Sequence, residues 1–256
     1  MQIYKLGKNA VKTKRKTLQI ADFLNLSVLP AIPAAFDWSM VKGKPLIYGM
    51  DGNDKHQDCV FASACHGVGT WSGNTGTELI ATEKDALAAY TDFAGFDPNN
   101  PATDSGANML DTATLWRYKP ICGRKIVAFA AVDLKRLDLV AAAMFLFGGM
   151  WIGWALPKAW QGADIWDVSP TGSLSGDWKP WSWGGHATHG PAISPKLLGI
   201  KSWTFNVPAT IPAFEAYAEE GYVLLSEDTW EILDGDRCPS GVDSAALQAA
   251  LIQVTA

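Results

Sequence analysis

The chain has 256 residues, a formal net charge of −5, 48% hydrophobic residues and only 18% charged residues. A chain of this size and composition can bury a substantial core, which excludes a disordered protein and fits one large domain or two lobes that share an interface.

The basic residues are concentrated at the N-terminus. Residues 1–17 hold six of the 21 basic residues and no acidic residue, so 15 basic residues face 26 acidic residues in the remainder. A short charged terminus is more often solvated than bound to a partner. We therefore expect a basic arm over residues 1–28 that is exposed to solvent, and no nucleic-acid partner. The six basic residues are Lys5, Lys8, Lys12, Lys14, Arg15 and Lys16.

Helices are predicted in the first half of the chain. A proline-rich extended segment at 29–38 precedes a helix that begins at Cys59, with Asp58 at the N-cap position, and ends among Gly67 and Gly69. Apolar spacing predicts two further helices, at 82–96 and 107–119.

Strands dominate the second half. The pattern predicts a strand at 125–132, a helix at 133–147, a buried strand at 150–156, and strands at 184–194 and 196–205 separated by a turn. A helix at 211–221, a strand at 222–227 and a closing helix at 243–254 follow. This order predicts an α+β protein with a helical lobe at 45–124 and a sheet lobe at 125–230.

The long apolar run at 139–157 is interrupted by Gly148 and Gly149, so it predicts a helix that turns into a strand rather than a membrane span. The N-terminus lacks the apolar region of a signal peptide. We expect a cytoplasmic protein with no membrane partner.

Four cysteines are too few and too scattered for a disulfide framework, so we expect free thiols in a reducing compartment. They are Cys59, Cys65, Cys122 and Cys238. A zinc site that includes histidines is the alternative, but no C-x-x-C pair would supply two thiolates from one turn. No metal or cofactor is required by the chemistry considered below.

The segment GNDKHQDCVF, residues 52–61, has the features of a nucleophile site. A cysteine in the first turn of a helix faces unpaired N–H groups and the positive end of the helix dipole, which favour the thiolate. The carboxylate of Asp58 opposes this effect unless it turns away to cap the helix. A buried structural cysteine remains the other interpretation of Cys59.

The order of several motifs resembles the papain-like cysteine peptidases. AAFDWS, at 34–39, is similar to the opening of the mature enzymes. Asn53 stands six residues before Cys59, where the family has an oxyanion-hole glutamine. WGGHATHG contains His186 at the position of the catalytic histidine, and the S-W pair Ser202 and Trp203 follows about sixteen residues later.

This resemblance implies a two-lobed papain-like fold with a barrel-like antiparallel sheet, closest in layout to uncharacterised bacterial and phage proteins. It implies hydrolysis of a peptide or related amide with Cys59 as nucleophile, His186 as base and Asn53 in the oxyanion hole. Trp203 would pack over the histidine, and Trp183 and Trp203 would contact substrate. A phage virion is therefore a second expected location.

The chain departs from the family where an asparagine normally holds the histidine ring. Lys201 stands there, and a charged lysine cannot accept a hydrogen bond. Ser202 or a backbone carbonyl could take that role. The departure also favours an alternative function, a non-catalytic papain-fold module of a phage or bacterium that serves as an assembly subunit or binds a partner.

Other candidates are weaker. Cys65 lies inside the predicted helix and suits a buried structural thiol, whereas His189 is the second choice for the base. The loop at 166–186 carries tryptophans 166, 178, 181 and 183, which could form a peptide-binding wall or a carbohydrate platform. A loop held together by its own aromatic rings is the alternative.

Overall fold

The computed structural model describes residues 4–12, 17–24, 26–27, 29, 31–76 and 78–226. Within these ranges, three helices follow one another in the first half of the chain: α1 (Cys59–Thr75), α2 (Glu83–Ala94) and α3 (Met109–Trp116). Two further helices lie among the strands, α4 (Leu137–Leu146) and α5 (Ile211–Tyr217). The predicted closing helix at 243–254 falls outside the described residues.

The main sheet of the described chain is antiparallel and has the strand order β4-β9-β5-β6-β7-β8, with β1 paired to β6. Its strands are β1 (Phe36–Asp37), β4 (Ile126–Ala131), β5 (Met150–Leu156), β6 (Gly184–Ile193), β7 (Leu197–Ser202), β8 (Phe205–Thr210) and β9 (Ala218–Ser226). A separate short hairpin joins β2 (Met40–Val41) to β3 (Lys44–Pro45). The α+β class and the order of helices before strands are confirmed.

Both faces of the sheet are covered. Helices α1, α2 and α3 form one core with Trp151, Ala187 and Tyr222 of the sheet. Helices α4 and α5 form a second core on the other face, where Trp154 packs among aromatic rings. Because α1 packs against β6, its first residue lies beside the strand that carries His186.

Helix α1 extends further than the sequence predicts. It passes through Gly67 and Gly69 and ends at Thr75, with Gly76 in the left-handed conformation at its C-cap. A Cβ atom at Gly73 would lie 2.5 Å from the Leu46 side chain, and one at Gly69 would lie 3.4 Å from the backbone of Leu79. These glycines permit close packing of neighbouring segments against the helix. A glycine that serves this purpose looks the same in the sequence as a glycine that ends a helix.

The apolar run at 139–157 forms α4 followed by β5, as predicted. In the described part of the chain, no helix combines the length and apolar character that crossing a bilayer requires.

Cys65 and Cys122 form a disulfide, so the prediction that both are free thiols is wrong. Cys65 is buried in α1, and Cys122 lies in the turn after α3 with a Cα atom 5.7 Å away. That separation is within the ordinary range for a disulfide. Cys59 is a free cysteine, whereas Cys238 lies outside the described residues.

Reduction of this disulfide is expected to lower the free energy of unfolding by about 4 kcal/mol, because it closes a loop with a sequence separation of 57 residues. Urea unfolding of the Cys65→Ser, Cys122→Ser double variant, compared with the parent chain, measures the effect. Cys59→Ser is the matched control, since it removes a thiol that closes no loop. Equal stability of the double variant and the parent would contradict the expectation.

Candidate active site

The sulfur of Cys59 lies between two separate parts of the chain. The N–H of Gly7 donates to Sγ at 3.3 Å, and the N–H of Ala187 in β6 donates to Sγ at 3.4 Å. Cys59 is only 1% exposed. The first residue of α1 is therefore in contact with both the N-terminal arm and the strand of the candidate base.

His186 precedes Ala187 in β6, and its ring is held on two sides. Nε2 lies 2.8 Å from Ser202 Oγ, and the ring stacks on the indole of Trp203 with centroids 4.5 Å apart. Nδ1 is buried and has no hydrogen-bond partner among the described residues. This nitrogen is therefore not held by another hydrogen-bonding group of the described chain.

Lys201 does not direct its ammonium at the histidine. Nζ forms a hydrogen bond with Asn206 Oδ1 and lies 4.8 Å from the centre of the Tyr48 ring. Burial lowers the pKa of Lys201 to about 8. Of the two groups that the sequence predicts could hold His186, the hydroxyl of Ser202 is the one within hydrogen-bonding distance of the ring.

Asn53 lies close to the nucleophile but is engaged with other groups. Its Nδ2 is within donating distance of Asp58 Oδ1 at 3.1 Å, the His56 carbonyl at 3.2 Å and the Lys5 carbonyl at 3.4 Å. Asp58 occupies the N-cap position, but its carboxylate caps none of the described N–H groups of α1. Burial raises the pKa of Asp58 well above its ordinary value, which favours the neutral acid beside Cys59.

The N-terminal arm lies in the groove above these residues. The expectation of a solvated arm is wrong for Gly7 and Lys8, which are buried, whereas Lys5 and Lys12 are exposed. Lys8 N–H donates to the Gly185 carbonyl, Ala107 N–H donates to the Gly7 carbonyl, and Asn9 N–H donates to the Ala107 carbonyl. The ring of Tyr4 stacks on Trp203 at 4.3 Å. Residues 7–9 thus bind as an extended segment between the loop before α3 and the start of β6.

Lys8 is the residue of the arm that contradicts a solvated terminus most clearly. Its side chain is 0% exposed, and Nζ forms ion pairs with Glu219 at 2.9 Å and Glu220 at 3.2 Å. A buried ammonium requires such partners, because its desolvation is otherwise costly. The charge pattern of residues 1–17 does not reveal these partners, which lie at the opposite end of the chain.

With the arm in place, the thiol and imidazole are both neutral near pH 7. Burial raises the pKa of Cys59 to about 11, although the N–H groups of Ala187 and Gly7 oppose that shift. Burial also lowers the pKa of His186 to about 3. The covered site therefore disfavours the thiolate–imidazolium pair that nucleophilic attack requires.

The remaining histidines lie apart from the sulfur. His189, the second choice for the base, packs near Gly67, Trp71 and Gly149 further along α1 and β6. His66 contacts the Gly49 carbonyl, and His56 lies in the loop before α1. Within the described ranges, no three His, Cys, Asp or Glu side chains are grouped so that they could hold a metal ion.

The tryptophans of the 166–186 loop divide between two roles. Trp166 is buried and stacks at 4.8 Å on Trp160, which lies outside the loop, so this ring fixes the start of the loop to the core. Trp183 lies 5.9 Å from Trp203, and Trp181 covers Lys8. The C-terminal part of the loop therefore borders the groove.

The overall fold is similar to those of several solved structures. Xylellain, a cysteine protease from Xylella fastidiosa, matches with a TM-score of 0.63 at 12% identity, over 88% of this chain and 98% of that one. The fold is papain-like. The cysteine protease CMS1MS2 from Carica candamarcensis matches with a TM-score of 0.50 at 12% identity, over 76% and 99% of the two chains.

A third papain-like relative is found in the cysteine protease and lectin-like domains of Cwp84, a surface layer associated protein of Clostridium difficile. It has a TM-score of 0.50 at 10% identity, over 85% of this chain and 54% of that one. Comparisons with protein-family models and with curated proteins find no match. The papain-like fold is thus established by three-dimensional similarity.

Gly7→Ala is expected to uncover Cys59. A Cβ atom at this position would lie 1.8 Å from the Gln57 carbonyl oxygen, so the arm must shift away from the sulfur. Alkylation of Cys59 by iodoacetamide at pH 7.5, followed by mass spectrometry, should accelerate by at least about tenfold as the thiol becomes accessible and its pKa falls.

Ala10→Gly is the matched control, because Ala10 is an exposed residue of the same arm. Its alkylation rate should equal that of the parent chain. If Gly7→Ala also left the rate unchanged, the contact between the arm and the sulfur would not control access to Cys59.

Proposed function

We propose that the protein is a papain-like cysteine peptidase or amidase whose active site is covered by its own N-terminal arm in this structure. Cys59 is the nucleophile, His186 is the base, and Ser202 positions the imidazole. Asn53 Nδ2 and the backbone N–H of Cys59 stabilise the oxyanion. Trp203 shields the histidine, and Trp183 forms part of the substrate-binding wall.

The observation that carries this proposal is the convergence of α1 and β6 on one sulfur. Ala187, which directly follows His186, donates its N–H to Cys59 Sγ, although 128 residues separate the two positions. A buried structural cysteine needs only apolar neighbours. Here the sulfur instead faces the first turn of a helix, two backbone donors and the strand that carries a partly unpartnered histidine.

The proposed reaction begins when the arm leaves and a substrate peptide takes its place. His186 accepts the thiol proton, and Sγ bonds to the substrate carbonyl carbon while the carbonyl oxygen takes up negative charge. Departure of the arm removes the Lys5 carbonyl, one of three acceptors around Asn53 Nδ2, and an Nδ2 hydrogen then turns to the substrate oxygen. His186 then passes the proton to the departing amine, and water hydrolyses the thioester with His186 as base.

In the closed state, the sulfur meets the N–H of Gly7 rather than a carbonyl carbon. The arm is therefore not oriented for attack by Cys59, and it can remain bound without being cleaved. This accounts for a groove that is filled by a peptide segment of its own chain.

Peptide hydrolysis in the Gly7→Ala background tests the proposal. His186→Ala should lower kcat/KM at least about 100-fold, because the proton acceptor is lost. Ser202→Ala should lower it roughly 10- to 100-fold, because the ring loses the hydrogen bond that sets its orientation. Lys135→Ala and Ser175→Ala are controls at exposed positions and should keep the parent rate.

Substrates for this assay are a mixed library of short peptides, with cleavage read by mass spectrometry. The fold of each variant is checked by its thermal unfolding midpoint. Absence of turnover in the opened protein, or turnover that survives Cys59→Ser, would overturn the peptidase assignment. The first result would favour a non-catalytic papain-fold binding module.

A further inference from the structure

The side chain of Lys8 fills a pocket that is built from strands β5 and β9 and the loop that carries Trp181. Its walls are the carboxylates of Glu219 and Glu220, both within 3.2 Å of Nζ, and its cover is the ring of Trp181, whose centre lies 4.9 Å from Nζ. The pocket therefore offers two negative charges and an aromatic face to one cation.

A β-bulge allows both carboxylates to face the same cation. Successive residues of a strand normally point to opposite faces of a sheet. Here Gly153 pairs with Glu220 while Trp154 pairs with Ala218, so Glu219 is an extra residue in β9. Bulges re-aim side chains in this way, and they are common next to functional sites.

The second oxygen of each carboxylate is fixed by another donor. Trp181 Nε1 donates to Glu219 Oε1 at 2.7 Å, and the Tyr222 hydroxyl donates to Glu220 Oε2 at 2.8 Å. Trp181 has a φ of 66°, an uncommon conformation for a residue other than glycine, while it covers the pocket. The pocket is thus pre-organised by contacts that do not involve the arm.

Gly153 forms the floor of the pocket. A Cβ atom there would lie 2.4 Å from Lys8 Cε and 2.7 Å from Glu220 Cγ. The absence of a side chain at this position in β5 leaves the space that the lysine stem occupies. Any larger residue would shorten the pocket.

The pocket is adjacent to the nucleophile. Ala187, Gly153 and Glu220 are register partners across β6, β5 and β9, and Ala187 donates its N–H to Cys59 Sγ. Neighbouring strands are about 4.8 Å apart, so Glu220 lies about 10 Å along this row from Ala187. Along the arm, the residue in the pocket directly follows Gly7, whose N–H contacts the sulfur.

We propose that this pocket is a specificity subsite for a lysine or arginine side chain of a bound peptide. The selected residue is the neighbour of the residue that contacts Cys59, as Lys8 is the neighbour of Gly7 in the arm. The backbone of the arm is held by hydrogen bonds that any extended peptide can form, whereas the Lys8 contacts are specific to its side chain. The role of the pocket as a substrate subsite rests on the proposed peptidase function. The pocket adds to that function the chemical class of the side chain that is recognised.

The first experiment measures protection of Cys59 from iodoacetamide in the full chain carrying Lys8→Ala, which vacates the pocket. Two added peptides are compared: acetyl-Leu-Gly-Lys-Asn-amide and its analogue with norleucine, which has a similar length and no charge. The lysine peptide should give half-maximal protection at a concentration at least about tenfold lower. Equal protection by the two peptides would overturn the proposal.

Variants of the pocket assign the preference to particular carboxylates. Glu220→Gln should reduce the advantage of the lysine peptide at least about threefold. Glu215→Gln is the matched control, because Glu215 is an exposed carboxylate on α5 outside the pocket. A preference that is unchanged by Glu220→Gln and by Glu219→Gln would also overturn the proposal.

A charge exchange keeps the test valid if Lys8→Ala or Glu220→Gln fails to fold. Lys8→Glu alone should accelerate alkylation of Cys59, and addition of Glu220→Lys should restore at least part of the protection by pairing the reversed charges. Absence of any restoration would contradict recognition by charge.

Turnover provides the last readout, in the chain that carries both Gly7→Ala and Lys8→Ala. Peptides with lysine or arginine in the predicted position should have kcat/KM values at least about tenfold above those of their norleucine analogues. If peptides are cleaved without this preference, the subsite proposal fails while the peptidase function stands. If no peptide is cleaved, the peptidase function fails, and the protection ratio alone decides whether the pocket selects a cation.

Discussion

The contact of one sulfur with two backbone N–H groups joins the three parts of the molecule on which its chemistry depends. The arm contacts the sulfur through Gly7, and strand β6 contacts it through Ala187. Cys59 itself is the first residue of α1. The same contacts that place Cys59 beside the histidine strand also cover its sulfur. Burial raises the pKa of this thiol, so under the proposed function the covered cysteine is held in its unreactive, protonated form.

The register of the antiparallel sheet explains why Cys59 and the lysine pocket lie in the same groove. One row across three strands contains Ala187, Gly153 and Glu220. The same strand register therefore sets the contact of Ala187 with the Cys59 sulfur and the contact of Glu220 with the buried ammonium of Lys8. The extra residue in β9 adds a second carboxylate to that row. A shift of register in β5 would therefore displace both features at once.

The sequence is sufficient to predict local features. Cys59 at a helix start and His186 on a strand follow from helix-capping signals and strand patterns, and both lie on the predicted type of element. Trp203, predicted within a strand at 196–205, lies instead in the turn between β7 and β8, with a φ of 53°. Contacts between distant residues could not be predicted in this way. The ion pair of Lys8 with Glu219 spans 211 residues, and the link from Cys65 to Cys122 spans 57. No pattern in either segment indicates its partner, because these contacts are set by tertiary packing.

Addition of a peptide aldehyde labelled with ¹³C at its carbonyl carbon would test the central claim most directly. In the Gly7→Ala chain, Sγ should add to the aldehyde carbon while the thiol proton passes to the oxygen, and NMR should detect the resulting hemithioacetal carbon. The signal should be absent in the parent chain, where the arm covers the sulfur, and lost when Cys59→Ser is added to Gly7→Ala. An aldehyde that stays free or hydrated in the opened protein would contradict the account, because Cys59 would then not act as a nucleophile in the groove.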